Sequence, residues 1–405
     1  MFNFNPEKIR KDFACLSKDQ KKAPIYFDNA CMTLKPNVVT EAIVSYYNEH
    51  PSCHNRAAHE FGEVTTKKVH QAREQIDKYI NCRSGESIVF TKNTTESINM
   101  IANMIDFKKG DVVLTTDLEH NSNMLPWQFL NIKKGVTFVQ MPIPPVAEEF
   151  DLQEFQNILS KGKVKLVSVF HTSNITGIQL PIKEITKLAH ENGAMVLLDA
   201  AQAIPHYQVD VQDLNIDFMA FSLHKAYGPT GMGVMYAKEE FLNKWVPFFV
   251  GGEGITDTTY DSCTLSQAPE KFEVGLQNYA GIIGSGAAIK WLSKINLKKA
   301  HDHLIKLNEQ LAEGLLSLNG LKLIGPTQAK NRSGIVNFST GNRNPAEICL
   351  MLSKMEKIMT RSGVHCGHSW FHKYELMPTL RASLAFYNTE AEVEVFLKKM
   401  RDLIK

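Results

Sequence analysis

Short apolar segments alternate with longer helical patterns through residues 87–237. The apolar segments include DVVLTT, VKLVSVF and AMVLLDAAQ. Apolar runs of this kind are typical of strands that are buried on both faces. Strands that alternate with helices predict an α/β fold, in which a mainly parallel sheet has helices on both faces.

In such sheets, ligands bind at the carboxyl ends of the strands. Polar residues follow several of the predicted strands at this edge, and their side chains are therefore expected to gather around one site. These residues are Thr95, His120, Asn174, Asp199 and Lys225.

The segment FSLHKAYGPTGMG, residues 221–233, has the pattern of a strand end, followed by a turn that contains a lysine and then by a glycine-rich loop. Lys225 is well placed there to form a Schiff base with an aldehyde cofactor, and Ser222 and His224 can donate hydrogen bonds to a phosphate. Taken alone, S-x-H-K is more typical of a surface lysine in a turn.

A second element upstream favours the cofactor interpretation. Asp199 ends the buried strand AMVLLDAAQ, where an acid is costly unless it is paired. A carboxylate beside the pyridine nitrogen of pyridoxal phosphate keeps that nitrogen protonated, and Gln202 could reach the phenolic oxygen of the ring. A helix cap is the alternative role for Asp199, but it does not explain Asp199 and Lys225 together.

Residues 67–79 have the pattern of an amphipathic helix, and the strand SIVFT and the helix KNTTESINMIANMI follow. Thr94 and Thr95 lie at the start of that second helix, where free N–H groups and the helix dipole form an anion site. We predict that they cradle the phosphate. A plain threonine N-cap is the alternative, and it is compatible with this role.

The sequence D-A-A-Q followed by S-x-H-K-x-Y-G-P-x-G-x-G resembles the class V aminotransferase group of pyridoxal-phosphate enzymes. The other motifs resemble its cysteine desulfurases, of the sulfur-mobilising type related to selenocysteine lyases. The resemblance runs from about Tyr26 to the C-terminus. It implies fold type I, with a mainly parallel seven-stranded sheet in a large domain, residues 26–285, and a smaller α+β domain formed by residues 1–25 and 286–405.

The same resemblance assigns further site residues. His120 matches a histidine that stacks on the cofactor ring and shuttles protons, and Asn174 can touch the phenolic oxygen or the substrate carboxylate. IYFDNACMTLKP resembles the L-D-x-A-A segment whose backbone lies over the substrate, which makes Ala30 a candidate contact. Arg56 matches an arginine near the active site, although Asn55 replaces a histidine of that motif.

The segment RSGVHCGHSWF places Cys366 among glycine and histidine residues, which is typical of a mobile loop that exposes a reactive thiolate. The alternatives are a buried inert cysteine and a metal site, and neighbouring ligands on one short loop rarely complete a tetrahedron. The spacing of Cys53, His54 and His59 also fits no metal site well, so we expect no metal. Arg381 has a planar fork that suits a carboxylate. The resemblance makes Cys366 the sulfur acceptor and Arg381 the carboxylate anchor.

The function predicted from these motifs is conversion of L-cysteine to L-alanine, in which Lys225 takes the α-proton and sulfur passes to Cys366 as a persulfide. A sulfur-acceptor or carrier protein for iron–sulfur cluster or thio-cofactor assembly is the implied partner. Two alternatives stay open, a selenocysteine lyase or other class V β-lyase or aminotransferase, and a non-catalytic scaffold. The resemblance also implies a homodimer, although Leu276 replaces a threonine that binds the phosphate of the neighbouring subunit.

The formal net charge of +2 favours neither nucleic acid nor an anionic membrane as a partner. The N-terminus has no apolar signal region, and the sequence has no apolar run long enough to span a bilayer. The seven cysteines are dispersed and fit reduced thiols better than a disulfide framework. A cytoplasmic protein is therefore expected.

Overall fold

The structure, a computed structural model, describes residues 4–17, 23–83 and 88–404. Parts of the predicted N-terminal segment, residues 1–3 and 18–22, lie outside the described residues. The described strands are β1 (Ile25–Tyr26), β2 (Ile88–Thr91), β3 (Val112–Thr116), β4 (Thr137–Met141), β5 (Val164–Phe170), β6 (Met195–Asp199), β7 (Phe218–Ser222), β8 (Gly233–Ala237), β9 (Ile255–Thr258), β10 (Cys263–Leu265), β11 (Lys322–Ile324), β12 (Ile335–Ser339), β13 (Ile358–Met359), β14 (Arg361–Gly363) and β15 (Thr379–Ser383).

Helices connect most of these strands. In the described ranges, none of them combines the length and the apolar character that are needed to cross a bilayer. They are α1 (Pro6–Arg10), α2 (Ala14–Ser17), α3 (Asn37–Glu49), α4 (Glu60–Ile80), α5 (Thr94–Met104), α6 (Leu125–Lys134), α7 (Leu152–Lys161), α8 (Ile182–Glu191), α9 (Val211–Leu214), α10 (Glu239–Lys244), α11 (Tyr279–Leu292), α12 (Leu297–Leu316), α13 (Pro345–Glu356), α14 (His368–Lys373) and α15 (Glu390–Ile404).

Seven strands form the central sheet, in the order β2-β8-β7-β6-β5-β3-β4. The pairs from β7 to β4 are parallel, and β8 is antiparallel to both β2 and β7. Each of the connections from β3 to β6 contains a helix, as parallel neighbours require. The predicted mainly parallel seven-stranded sheet is therefore confirmed.

The sheet is covered on both faces. Leu197 and Leu198 are adjacent in β6, yet they belong to two different clusters of buried apolar side chains. Successive side chains of a strand point to opposite faces, so each cluster fills one face of the sheet. Ile98 of α5 and Trp127 of α6 pack in the cluster of Leu197, whereas Ile76 of α4 packs in the cluster of Leu198.

A second sheet lies beside the site, with four antiparallel strands in the order β11-β12-β15-β14. The N-terminal segment packs on the same region, because Arg10 Nη1 donates 2.8 Å hydrogen bonds to the Tyr387 carbonyl and to Glu392. The predicted domain boundary at residue 286 falls within α11, and the division of the chain into two domains stays a prediction.

Helix α4 begins earlier than the sequence pattern predicts. Residues 67–79 were expected to be helical, but the helix runs from Glu60 to Ile80. The His59 side chain accepts a 3.4 Å hydrogen bond from the Gly62 N–H and caps the first turn. Histidine is not among the usual N-cap residues, so the start of the helix could not be predicted at this position.

Gly233, the first residue of β8, controls how closely α5 approaches the sheet. It pairs with Thr91 on one side and Ser222 on the other. A Cβ atom at this position would lie 2.6 Å from the Cα atom of Asn93, which caps α5. Only glycine lets the start of α5 reach the end of β7.

We expect Gly233→Ala to lower the free energy of unfolding by about 1–3 kcal/mol, because backbone atoms cannot rotate away from the added methyl group. Urea denaturation measures the change. Gly162→Ala is the matched control, since a Cβ atom there meets nothing within 4 Å. Equal stability of the two variants would contradict this packing.

Candidate active site

A cavity of about 300 Å³ opens at the carboxyl ends of β5, β6 and β7, and β14, β15 and the loop after β14 also contribute to it. It contains every predicted site residue except Arg56. The lining residues are Ala30, Cys31, Asn93, Thr94, Thr95, His120, Ser122, Phe170, Thr172, Asn174, Asp199, Ala201, Gln202, Ser222, His224, Lys225, Arg361, His365, Cys366 and Arg381.

Asp199 and Lys225 are an acidic and a basic residue that both line this cavity. Asp199 is buried at the end of β6, and its Oδ1 accepts a 2.9 Å hydrogen bond from the Ala201 N–H. Burial raises the pKa of Asp199. Burial also lowers the pKa of Lys225, with a further lowering by Arg381 and an opposing effect of Asp199. A lysine of lowered pKa is more readily available as a free amine, which is the nucleophilic form.

Hydroxyl groups surround the first turn of α5. The Thr94 N–H donates to Ser222 Oγ at 2.8 Å, and the two hydroxyls lie 2.6 Å apart. The hydroxyl of Thr95 lies 2.7 Å from that of Ser122. The N-cap is Asn93 rather than a threonine, because its side chain accepts from the Glu96 N–H. The helix start and its hydroxyls together form a site suited to an anion.

The histidines of the cavity are neutral at physiological pH. The Nδ1 atom of His120 accepts a 3.1 Å hydrogen bond from the Ser122 N–H, so the proton of the neutral ring lies on Nε2. Burial, together with the charges of Lys225 and Arg381, lowers the pKa of His120 to about 3. Burial similarly lowers the pKa of His224 to about 4 and that of His365 to about 2.

Cys366 is exposed to the cavity on a loop with an unusual backbone. His365 and Cys366 have φ angles of +49° and +60°, in the left-handed region that non-glycine residues rarely adopt. Two hydrogen bonds hold this shape, from the Asn121 N–H to the Cys366 carbonyl (2.9 Å) and from Asn174 Nδ2 to the His365 carbonyl (2.7 Å). The thiol is thus presented by an irregular loop rather than by a helix or a strand.

Arg381 on β15 is buried against the same region. Its Nη1 donates a 2.8 Å hydrogen bond to the Asn174 carbonyl, and its Nη2 lies 3.6 Å from Asp28 Oδ1. Its buried Nε has no hydrogen-bond partner in the part of the chain that the structure describes. Arg361 is its register partner on β14 and also binds Asp28, at 2.6 Å. Because Arg381 lines the cavity, its guanidinium group is placed to bind an anionic ligand there.

Gln202 and Arg56 make contacts that the sequence pattern did not predict. Gln202 Nε2 donates a 2.7 Å hydrogen bond to the Ala30 carbonyl, so it fixes the segment that was predicted to lie over the substrate. Arg56 lies outside the cavity, where its exposed side chain forms a 2.8 Å ion pair with Glu253. Among residues 4–17, 23–83 and 88–404, no cluster of His, Cys, Asp and Glu could hold a metal ion.

Glu119 is a buried acid that the sequence reading missed, although it directly precedes His120. It is fully buried, and its carboxyl group accepts hydrogen bonds from Thr116 Oγ1 (2.8 Å), the Phe170 N–H (3.2 Å) and Asn123 Nδ2 (2.8 Å). Burial raises the pKa of Glu119 to about 8, and the charge of Asp199 adds to this shift. Glu119 therefore holds a proton at neutral pH.

The comparisons with known proteins agree with this geometry. A family model of class-V aminotransferases matches residues 25–396. The chain belongs to the class-V aminotransferase family. It is 37% identical to a probable cysteine desulfurase of Synechocystis, over 98% of this chain and 95% of that protein. It is 35% identical to a cysteine desulfurase of Escherichia coli, over 96% of each. The apo structure of a cysteine desulfurase from Thermococcus onnurineus superposes with a TM-score of 0.94 at 36% identity, covering 100% of this chain and 99% of that one.

We expect Glu119→Gln to change how stability depends on pH. The pKa of Glu119 is about 8 in the folded protein, above its ordinary value of 4.5, so between these values only the folded state holds the proton. This contribution to stability is lost as pH rises, by up to about 1.4 kcal/mol per pH unit, and glutamine does not titrate.

Urea unfolding of both proteins at pH 5 to 8, in the same cofactor state, measures this difference. The free energy of unfolding of Glu119→Gln, relative to that of the unmodified protein, should increase as pH rises. Glu63→Gln, at an exposed position of α4, is the control and should show no such gain. A difference that stays constant with pH for Glu119→Gln would contradict the buried protonated state.

Proposed function

We propose that this chain is a pyridoxal-phosphate-dependent cysteine desulfurase, which converts L-cysteine to L-alanine and keeps the sulfur on Cys366 as a persulfide. The observation that carries the proposal is that Cys366, Lys225, Asp199 and Arg381 line one cavity. The relatives with this name, which align with nearly the whole chain, support it.

The residues present fit the cofactor. The hydroxyls of Thr94, Thr95 and Ser222, with the start of α5, would hold its phosphate, together with His224. Asp199, a buried acid at the end of β6, would pair with its ring nitrogen, and Lys225 would bind its aldehyde. When bound, pyridoxal phosphate withdraws electrons from the Cα atom of an amino acid substrate.

The chain's own groups position the substrate and move its protons. The guanidinium group of Arg381 lines the cavity and can bind the substrate carboxylate, and Asn174, whose carbonyl accepts a hydrogen bond from Arg381, lines it too. The amine of Lys225, whose pKa is lowered by burial, can accept the Cα proton. His120 is neutral and carries its proton on Nε2, so it can donate that proton within the cavity.

The sulfur transfer itself is redox-neutral. The Cys366 thiolate attacks the sulfur of the substrate, and a new S–S bond forms while the Cβ–S bond breaks. The electron pair of the broken bond stays on Cβ, which takes up a proton and becomes the methyl group of alanine. The persulfide on Cys366 then requires an acceptor. A sulfur-carrier protein that serves iron–sulfur cluster or thio-cofactor assembly is the proposed partner.

We propose that the protein acts as a homodimer. Exposed apolar residues flank the segment 251–275 on both sides, and Leu276 among them is 72% exposed. They are Phe248, Phe249, Val250 and Leu276. Clustered apolar side chains of this kind mark protein interfaces, and a two-fold pair is the commonest closed assembly.

The seven cysteines are free, which supports a cytoplasmic location.

Cys366→Ser tests the reaction. We expect a loss of about a hundredfold or more in alanine formation from L-cysteine, because serine cannot accept the sulfur, with unchanged cofactor content. Quantified alanine and bound pyridoxal phosphate are the measurements. Cys263→Ser, at an exposed position on β10 outside the cavity, is the control.

Each other outcome is informative. Alanine formation at the parental rate in Cys366→Ser would show that Cys366 is not the acceptor. A parent that turns over selenocysteine but not cysteine would instead be a selenocysteine lyase. If the unmodified protein binds no cofactor and turns over no substrate, it is the non-catalytic scaffold.

Leu276→Thr tests the proposed contact between subunits. If residue 276 faces the neighbour's phosphate, the added hydroxyl should donate a hydrogen bond to a charged oxygen, worth about 1.5–3 kcal/mol. Pyridoxal phosphate should then bind about ten- to a hundredfold tighter to the apo-protein. Valine has nearly the shape of threonine but lacks the hydroxyl, so Leu276→Val is the control. Equal affinities of the two variants would mean that residue 276 does not face the phosphate.

A further inference from the structure

The candidate active site contains a second thiol, Cys31. It lines the same cavity as Cys366, it is half-buried, and it is free. The segment FDNAC resembles the motif L-D-x-A-A, and Cys31 stands at the second alanine of that motif. The resembled motif therefore has alanine at this position, where this chain carries a thiol.

The backbone around Cys31 is held firmly. The Cys31 N–H donates a 3.1 Å hydrogen bond to the Asp28 carbonyl. The preceding residue, Ala30, donates its N–H to Ser383 Oγ at 2.9 Å and accepts from Gln202 at 2.7 Å. These bonds fix Cys31 between the end of β15 and the turn after β6, as a permanent part of the cavity wall.

Both thiols approach the same amine. The charges of Cys31 and of Cys366 each act on Lys225, and each raises its pKa. Cys31, Cys366 and Lys225 all line this one cavity of about 300 Å³. In the proposed reaction, that space is where the substrate sulfur becomes the outer atom of the persulfide.

The surroundings of Cys31 are cationic. Lys35, Arg361 and Arg381 all interact electrostatically with it, in addition to Lys225. Partly exposed thiols in electropositive surroundings are the reactive ones in proteins.

We infer that Cys31 is a second sulfur acceptor, which takes the outer sulfur of the Cys366 persulfide inside the cavity. The inference rests on the proposed function, because that reaction supplies the persulfide. The Cys31 thiolate attacks the outer sulfur, a new S–S bond forms to Cys31, the old S–S bond breaks, and Cys366 leaves as a thiolate. No oxidant or reductant is needed. Cys366 is then free for another turnover while the first sulfur remains on Cys31.

The test uses the holoenzyme and a small excess of L-cysteine labelled with ³⁴S, with no thiol other than this substrate, and the reaction is quenched after its initial burst. Alkylation, digestion and mass spectrometry then locate the label, and alanine is counted in parallel. In the parent we expect label on the Cys31 and Cys366 peptides and about two alanine molecules per chain, one for each acceptor thiol. Cys31→Ala should carry label on Cys366 alone, with about one alanine. Cys53→Ala, a half-buried cysteine outside the cavity, should match the parent.

Two results would overturn the inference while leaving the proposed function intact. One is label on Cys366 alone in a parent that forms alanine. The other is a Cys31–Cys366 disulfide with release of hydrosulfide, which requires attack on the inner sulfur. A parent that forms no alanine would instead contradict the proposed function. Cross-linking of the unreacted protein with dibromobimane then decides the geometry, because a bridged Cys31–Cys366 peptide supports a relay and its absence excludes one.

Discussion

The site depends on the electrostatic relation between a buried carboxylate at the end of β6 and a buried amine in the turn after β7. Asp199 ends β6 and is paired with Ala220 of β7, five residues before Lys225. Parallel pairing brings the carboxyl ends of β6 and β7 to one edge of the sheet. Asp199 and Lys225 therefore lie close together, because each is at or just beyond one of these ends. Burial opposes both charges, and the apolar faces of the sheet supply the stability that keeps them in place.

Asn174 links the two remaining parts of the site. Its backbone carbonyl accepts from Arg381, and its side chain donates to the carbonyl of His365 beside the thiol loop. The carboxylate anchor and the sulfur acceptor therefore share one residue at the end of β5. A displacement of that strand end would move both groups together, which keeps their relative positions constant.

The sequence predicted those parts of the site that local pattern determines. Asp199 and Lys225 stand out because each ends an apolar strand, and the parallel sheet follows from the alternation of strands and helices. The role of Arg361 could not be predicted, because it arises from a bond to Asp28, which lies 333 residues away in the chain. Glu119 was missed for a related reason, since its protonation depends on burial beneath the sheet edge.

The neutral histidines of the cavity set its electrical character. The pKa values of His120, His224 and His365 lie at about 3, 4 and 2, so none of them gains a proton within the range of cellular pH. Their rings act as fixed dipoles, and they attract no counter-ions that an incoming amino acid would have to displace. A modest acidification of the surroundings therefore leaves these three rings uncharged, and they present the same dipoles to an incoming amino acid.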